Sequence, residues 1–206
     1  MVKYEQVKFK SGNLTLVGVI HLPKYLGNIG VVLCHPHPLY GGNMDNNVIY
    51  GLAEYLSNEG VVCLRFNFRG VDGSEGRYSG GEGEVIDTIS AVNYLITKYK
   101  FKHVGLIGYS FGAYIASLAY KQISNKLSFY ILISPPNNIM NFNHIREIKK
   151  PSLTILGDLD PFVNINELKS LGIKDIVVVN GADHFWWGFE TKLAGIITNF
   201  LKENYM

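Results

Sequence analysis

VGLIGYSFGAYIASLAYKQ, residues 104–122, opens as an uninterrupted apolar run and continues, with no linker, as a helical pattern. At the junction stands Gly108-Tyr109-Ser110-Phe111-Gly112, the G-x-S-x-G pattern. Three fixed positions in five arise by chance, but a buried strand before them and a helix after them are the context the pattern requires. A serine on such a sharp turn takes up a strained backbone conformation, so the positions two before and two after it have to be small. Gly108 and Gly112 meet that demand. The turn presents the Ser110 oxygen at the positive end of a helix and aims the Phe111 NH at any oxyanion that forms beside it.

On either side of this stretch, short β-rich runs alternate with helical patterns from residue 29 onward. The runs are apolar throughout, as strands buried on both faces must be, so the expected class is α/β with a parallel sheet. The predicted strands are residues 30–34, 61–66, 104–108, 129–134, 153–157 and 175–180, preceded by an antiparallel edge hairpin of 4–9 and 14–21 about the Ser11-Gly12-Asn13 turn. The predicted helices are 46–58, 83–99, 111–122, 143–149, 165–171 and 189–203. The stretch from Gly70 to Gly83 holds six glycines at irregular spacing, lacks the strand and helix setting of a phosphate-binding fingerprint, and is expected to be a mobile loop.

A serine hydroxyl is a weak nucleophile at neutral pH. It needs a base within hydrogen-bonding reach and a third group to hold that base in the right tautomer. After elbows of this kind the partners follow in the order carboxylate, then histidine. Asp158 and Asp160 lie in the loop after the strand 153–157, at the carboxyl end where parallel sheets carry their sites. Asp160, stiffened by Pro161, is the preferred acid, and Asp158 is expected to bond loop amides. His184 follows the last strand and is the only histidine downstream of both aspartates; it is the candidate base.

After the strand 30–34 comes His35-Pro36-His37-Pro38-Leu39-Tyr40-Gly41-Gly42. Proline has no NH, so a second oxyanion donor from this loop is His37, with Leu39 as the alternative. H-x-H can also share a metal, but no further ligands stand at matching positions, and neither metal nor cofactor is expected. His35 is read as support for the loop. Tyr40, Phe185 and Trp186 are candidate pocket residues, with Phe111 and Phe142 near them.

The bulk properties agree. The 206 residues are 47% hydrophobic, enough for one core, so a single domain over 1–206 is expected. Charged residues make up 17%, the net charge is +2, and no like-sign block suggests nucleic acid. No apolar run reaches the roughly 18 to 20 residues of a bilayer span, so no membrane association and a cytoplasmic location are expected. Cys34 and Cys63 sit inside apolar runs and read as inert core thiols. The oligomeric state is not legible.

Taken together, HPHPLYGGNMDN (35–46), LRFNFRGVDGSEG (64–76), GYSFGAY (108–114), GDLDPFV (157–163) and GADHFW (181–186) resemble the small α/β-hydrolases related to the dienelactone hydrolase and prolyl-oligopeptidase-like groups. The resemblance implies an eight-stranded, mostly parallel sheet with helices on both faces. It also implies Ser110, Asp160 and His184 as a catalytic triad, with the NH groups of Phe111 and His37 as oxyanion donors. One departure is Asp72, where such sequences often carry a glycine. Only 18 residues, 135–152, join two of the strands, too few for an inserted cap, so an open pocket is expected. The implied activity is cleavage of a carboxylic ester or thioester of a small acyl substrate; a peptidase or amidase, or a scaffold without turnover, are the alternatives.

Overall fold

The computed structural model describes residues 1–206. β1 (Lys3–Ser11) and β2 (Leu14–Leu22) form the edge hairpin, closed by Gly12 at φ 56° and Asn13. Six parallel strands follow: β3 (Ile29–Cys34), β4 (Val62–Phe66), β5 (His103–Tyr109), β6 (Phe129–Ile133), β7 (Leu153–Gly157) and β8 (Ile176–Val179). They complete one eight-stranded sheet in the order β1-β2-β4-β3-β5-β6-β7-β8. The largely apolar runs have their reason here, since every residue of β3, β4, β6 and β7 is buried.

Successive side chains of a strand point to opposite faces, and each face has its own helices. Val31 and Leu33 pack with Leu52 and Leu56 of α1 (Asn47–Asn58) and with Leu193 and Ile197 of α5 (Glu190–Asn204). Val32 and Cys34 face the other way, toward Val92 and Leu95 of α2 (Glu82–Lys98) and Ile115 and Ala119 of α3 (Phe111–Ile123). Each aliphatic side chain so buried contributes on the order of 1.5–3 kcal/mol. A short α4 (Ile165–Ser170) precedes β8. None of the helices is long and apolar enough to cross a membrane. Burial pushes the Cys34 and Cys63 thiols up to about 12, which keeps them protonated.

The sheet order fixes where chemistry can occur. β4 lies on one side of β3 and β5 on the other, so the loops leaving the carboxyl ends of β3 and β5 diverge and open a crevice between them. The parallel register sets Cys34 opposite Gly108, which brings the loop starting at His35 beside the turn that carries Ser110.

Two expectations are corrected. Residues 143–149 form only a 3-10 turn, Asn143–Glu147, because the segment buries a single residue, Ile145, and Pro151 soon ends any helical run. The glycine-rich loop is tied down: both Asp87 carboxylate oxygens bind the Arg69 guanidinium at 2.8–3.0 Å, Ser11 donates to Asp87 at 2.6 Å, and the Glu84 carboxylate accepts from the NH groups of Ser79 and Gly81. Asp72 takes φ 23°, in the left-handed region, where a glycine would be usual; its carboxylate accepts from Asn43 at 3.0 Å.

Candidate active site

Ser110 stands between β5 and α3 at φ 56° and ψ −121°, a strained pair for a residue with a Cβ. Its NH donates to the Ile133 carbonyl at 2.9 Å, which ties the turn to β6. A Cβ on Gly108 would lie 2.1 Å from the Gly112 carbonyl oxygen, and one on Gly112 would lie 2.1 Å from that of Cys34. Backbone packs directly on backbone at both positions, so the elbow has no room for a side chain.

Ser110, His184 and Asp160 meet at the crevice. The Ser110 hydroxyl lies 2.9 Å from His184 Nε2, and His184 Nδ1 lies 2.8 Å and 3.0 Å from the two Asp160 oxygens. With Nδ1–H donating to Asp160, Nε2 is free to accept from the serine. All three residues are buried. Asp160 Oδ1 also accepts from the Phe162 NH at 3.0 Å, and the Phe162 ring stands edge-on to the imidazole at 4.8 Å. The two loops carrying acid and base touch closely: a Cβ on Gly157 would lie 2.0 Å from the Ala182 carbonyl oxygen. Asp158 is exposed and accepts from the Gly181 NH at 2.7 Å, so it joins the two loops from outside and does not reach His184.

Across the crevice, His37 caps the turn Pro38–Tyr40. Its Nδ1 accepts from the Leu39 NH at 3.2 Å, and its Nε2 lies 3.2 Å from the Tyr78 hydroxyl. Two consequences follow. The Leu39 NH is engaged, and the imidazole carries its proton on Nε2, donating to Tyr78. The NH groups of His37 and Phe111 donate to no protein acceptor. Desolvation lowers the His37 pKa, which favours this neutral form. His35 is fully buried, with Nδ1 donating to the Pro36 carbonyl at 2.7 Å and Nε2 accepting from the Phe68 NH at 3.1 Å; burial holds its pKa down to about 3. Both of its ring nitrogens are occupied by backbone.

A cavity of about 470 Å³ opens beside Ser110. Tyr40, Phe111 and Phe185 line it, as expected from the sequence. Trp186 does not: it is fully buried in the core, on the α1 and α5 face, at φ 63°. The left-handed turn at 186 swings its side chain inward while Phe185 stays at the mouth. Phe142 is likewise core. The sequence reading missed Asn46, Tyr109, Pro136, Ile139, Met140 and Phe162, which also line it. Three of them come from the link after β6, whose lack of pattern gave no sign of where it folds. The cavity has no Asp, Glu, Lys or Arg in its lining.

The family described as α/β hydrolase fold matches residues 31–156. An uncharacterized protein of Rickettsia prowazekii is 38% identical, over 84% of this chain and 78% of its own. Among solved structures, an α/β serine hydrolase homologue from Coxiella burnetii is 33% identical, with a TM-score of 0.86, covering 96% of this chain and 97% of its own. A lidless α/β serine hydrolase from Xanthomonas campestris, 24% identical over 98% of this chain and 94% of its own, has the same fold with a TM-score of 0.86.

Proposed function

Because the chain belongs to the α/β-hydrolase family, we propose that it is a serine hydrolase cleaving an uncharged carboxylic ester or thioester of a small acyl group through an acyl-enzyme. Ser110 is the nucleophile, His184 the base, and Asp160 the carboxylate that orients it. The observation that carries this reading is the continuous chain of short contacts from the Ser110 hydroxyl through both nitrogens of His184 to Asp160.

In this mechanism the Ser110 oxygen attacks the acyl carbonyl while its proton passes to His184 Nε2. Asp160 stabilises the imidazolium, and the tetrahedral oxyanion is held by the NH groups of Phe111 and His37. Each such donor is typically worth about 2.7–4 kcal/mol in the transition state. His37 is the second donor in preference to Leu39 because the Leu39 NH already bonds the His37 ring. The intermediate collapses as His184 returns the proton to the leaving alcohol or thiol. Water, deprotonated by the same imidazole, then attacks the acyl-enzyme, and His184 passes that proton to the Ser110 oxygen as the acid leaves.

The lining supports the substrate class. A cavity without charged side chains favours neutral, apolar acyl groups and gives a carboxylate or phosphate no counter-ion. A panel of p-nitrophenyl esters, thioesters and anilides graded by chain length tests the reading. Short neutral esters or thioesters should turn over fastest, and Ser110→Ala should remove turnover while the melting temperature holds. Equal rates for Ser110→Ala and the parent would refute it, and faster cleavage of the anilides would make the protein an amidase.

A further inference from the structure

His184 sits in an irregular segment between β8 and α5, yet its ring must meet Ser110 and Asp160 together. Segments without secondary structure move most, and a displacement of 1 Å near the chemistry can cost about 10²-fold in rate. Something has to hold this backbone. The geometry points to Tyr109 and the Trp186–Ser134 pair as positioning residues, a two-point latch that fixes the His184 backbone against the ends of β5, which carries the nucleophile, and of its neighbour β6.

The first point is the Tyr109 hydroxyl, which donates to the His184 carbonyl at 2.7 Å. Tyr109 is the last residue of β5 and directly precedes Ser110, so one strand end carries both the nucleophile and the clamp on the base. The phenol is almost fully buried, and desolvation raises its pKa, so it remains a donor throughout the working pH range.

The second point lies two residues beyond His184. The Trp186 indole NH donates to the Ser134 hydroxyl at 3.0 Å, with both residues fully buried. Ser134 directly follows β6, and its own NH donates to Ile155 of β7 at 2.8 Å. Both partners have left-handed backbones, φ 63° at Trp186 and φ 44° at Ser134. A non-glycine residue persists there only when its surroundings over-determine it. The chain has four such residues, and three of them, Ser110, Ser134 and Trp186, lie within this one arrangement. Tyr109 and Trp186 thus pin the backbone at the His184 carbonyl and two residues beyond it, one to the end of β5 and one to the residue after β6.

A plain core tyrosine and tryptophan would serve stability alone, and kinetics separate the two roles. The latch rests on His184 being the base, and a base acts in both acylation and deacylation, so loosening it should lower kcat and leave KM nearly unchanged. The test takes Tyr109→Phe and Ser134→Ala, singly and together, in the full chain. It measures kcat and KM on p-nitrophenyl acetate, the rate constant of inactivation by a fluorophosphonate, and the melting temperature. Each single variant should lose about tenfold in kcat and in inactivation rate, with KM within about twofold, and the double variant more than either. Variants that melt earlier but retain the parent's kcat and inactivation rate overturn the latch. Should one variant fail to fold, the other carries the same test. A parent chain that the probe does not modify overturns the hydrolase reading and the latch with it, whereas equal inactivation of parent and variants overturns the latch alone.

Discussion

Asp158 and Asp160 stand two residues apart in one loop, and their surroundings give them different work. Asp160 is buried, with both oxygens on His184 Nδ1, while Asp158 is exposed and bonds an amide of the next loop. An asparagine at 160 could present its NH₂ to the imidazole and stabilise the wrong tautomer, so Asp160→Asn should lower kcat by about 10³–10⁴-fold. Asp158→Asn retains the accepting oxygen and should stay within about tenfold of the parent. Steady-state kinetics on one ester compare the two, and a larger loss at 158 would reverse the assignment. At this scale the approach of Ser110, Asp160 and His184 was legible, because Ser110 directly follows β5 while Asp160 and His184 lie three and five residues past the ends of β7 and β8, where the loops leave few candidates. Tyr109 and Trp186 were not legible in their roles. Which way residue 186 points depends on a left-handed φ that a tryptophan does not advertise, so the aromatic run Phe185-Trp186 read as a single apolar rim although only Phe185 reaches the cavity.

Among the elements, the strands were the clearest, because a strand buried on both faces leaves a mostly apolar run, broken only by Arg65 in β4 and Thr154 in β7 among the four that are wholly buried. The segment after β6 was the least clear. Residues 135–152 combine prolines, asparagines and a single 3-10 turn where a helix over 143–149 was expected, and yet they supply Pro136, Ile139 and Met140 to the cavity wall. The glycine-rich loop misled for a related reason. Its glycines read as freedom, whereas its order comes from side chains distant in sequence: Asp87 on α2 holds Arg69 in a fork and accepts from Ser11 of β1. Removing one partner of a buried pair leaves the other charge uncompensated. Asp87→Ala is therefore expected to destabilise the fold by about 3 kcal/mol. Urea unfolding at pH 7 checks this through a lower midpoint at unchanged slope, and an unaltered midpoint would mean that the pair adds nothing.

For the molecule as a whole, the strand order matters more than any single contact. It sets the loops after β3 and β5 side by side at the switch point and brings the loops after β7 and β8 to the same rim. Burial of that much chain also affects titration. Desolvation, aided by Arg65 at His21, holds His21 at about 4 and His35 at about 3, with His37 and His144 shifted the same way. Unfolded histidines take up protons near 6.5, while the folded ones stay neutral. The unfolded state therefore binds more protons from about pH 6.5 down to about pH 4 for His21 and about pH 3 for His35, and stability falls as pH drops through that window. The buried His35 alone gives a slope on the order of 1 kcal/mol per pH unit near pH 5, and His21 adds to it in the same direction, against the Glu54 carboxylate 3.0 Å from its Nδ1. Denaturation at a series of pH values measures it, and a flat profile from 6.5 to 4.5 would contradict the buried neutral state. The central claim is that four loops converge to make one hydroxyl reactive. Its most direct test is peptide mapping by mass spectrometry after treatment with a fluorophosphonate, on the parent and on His184→Ala. The expected result is one adduct on the parent, at Ser110, and none on the variant. A parent left unmodified at Ser110, or a variant modified there just as fast, would contradict it.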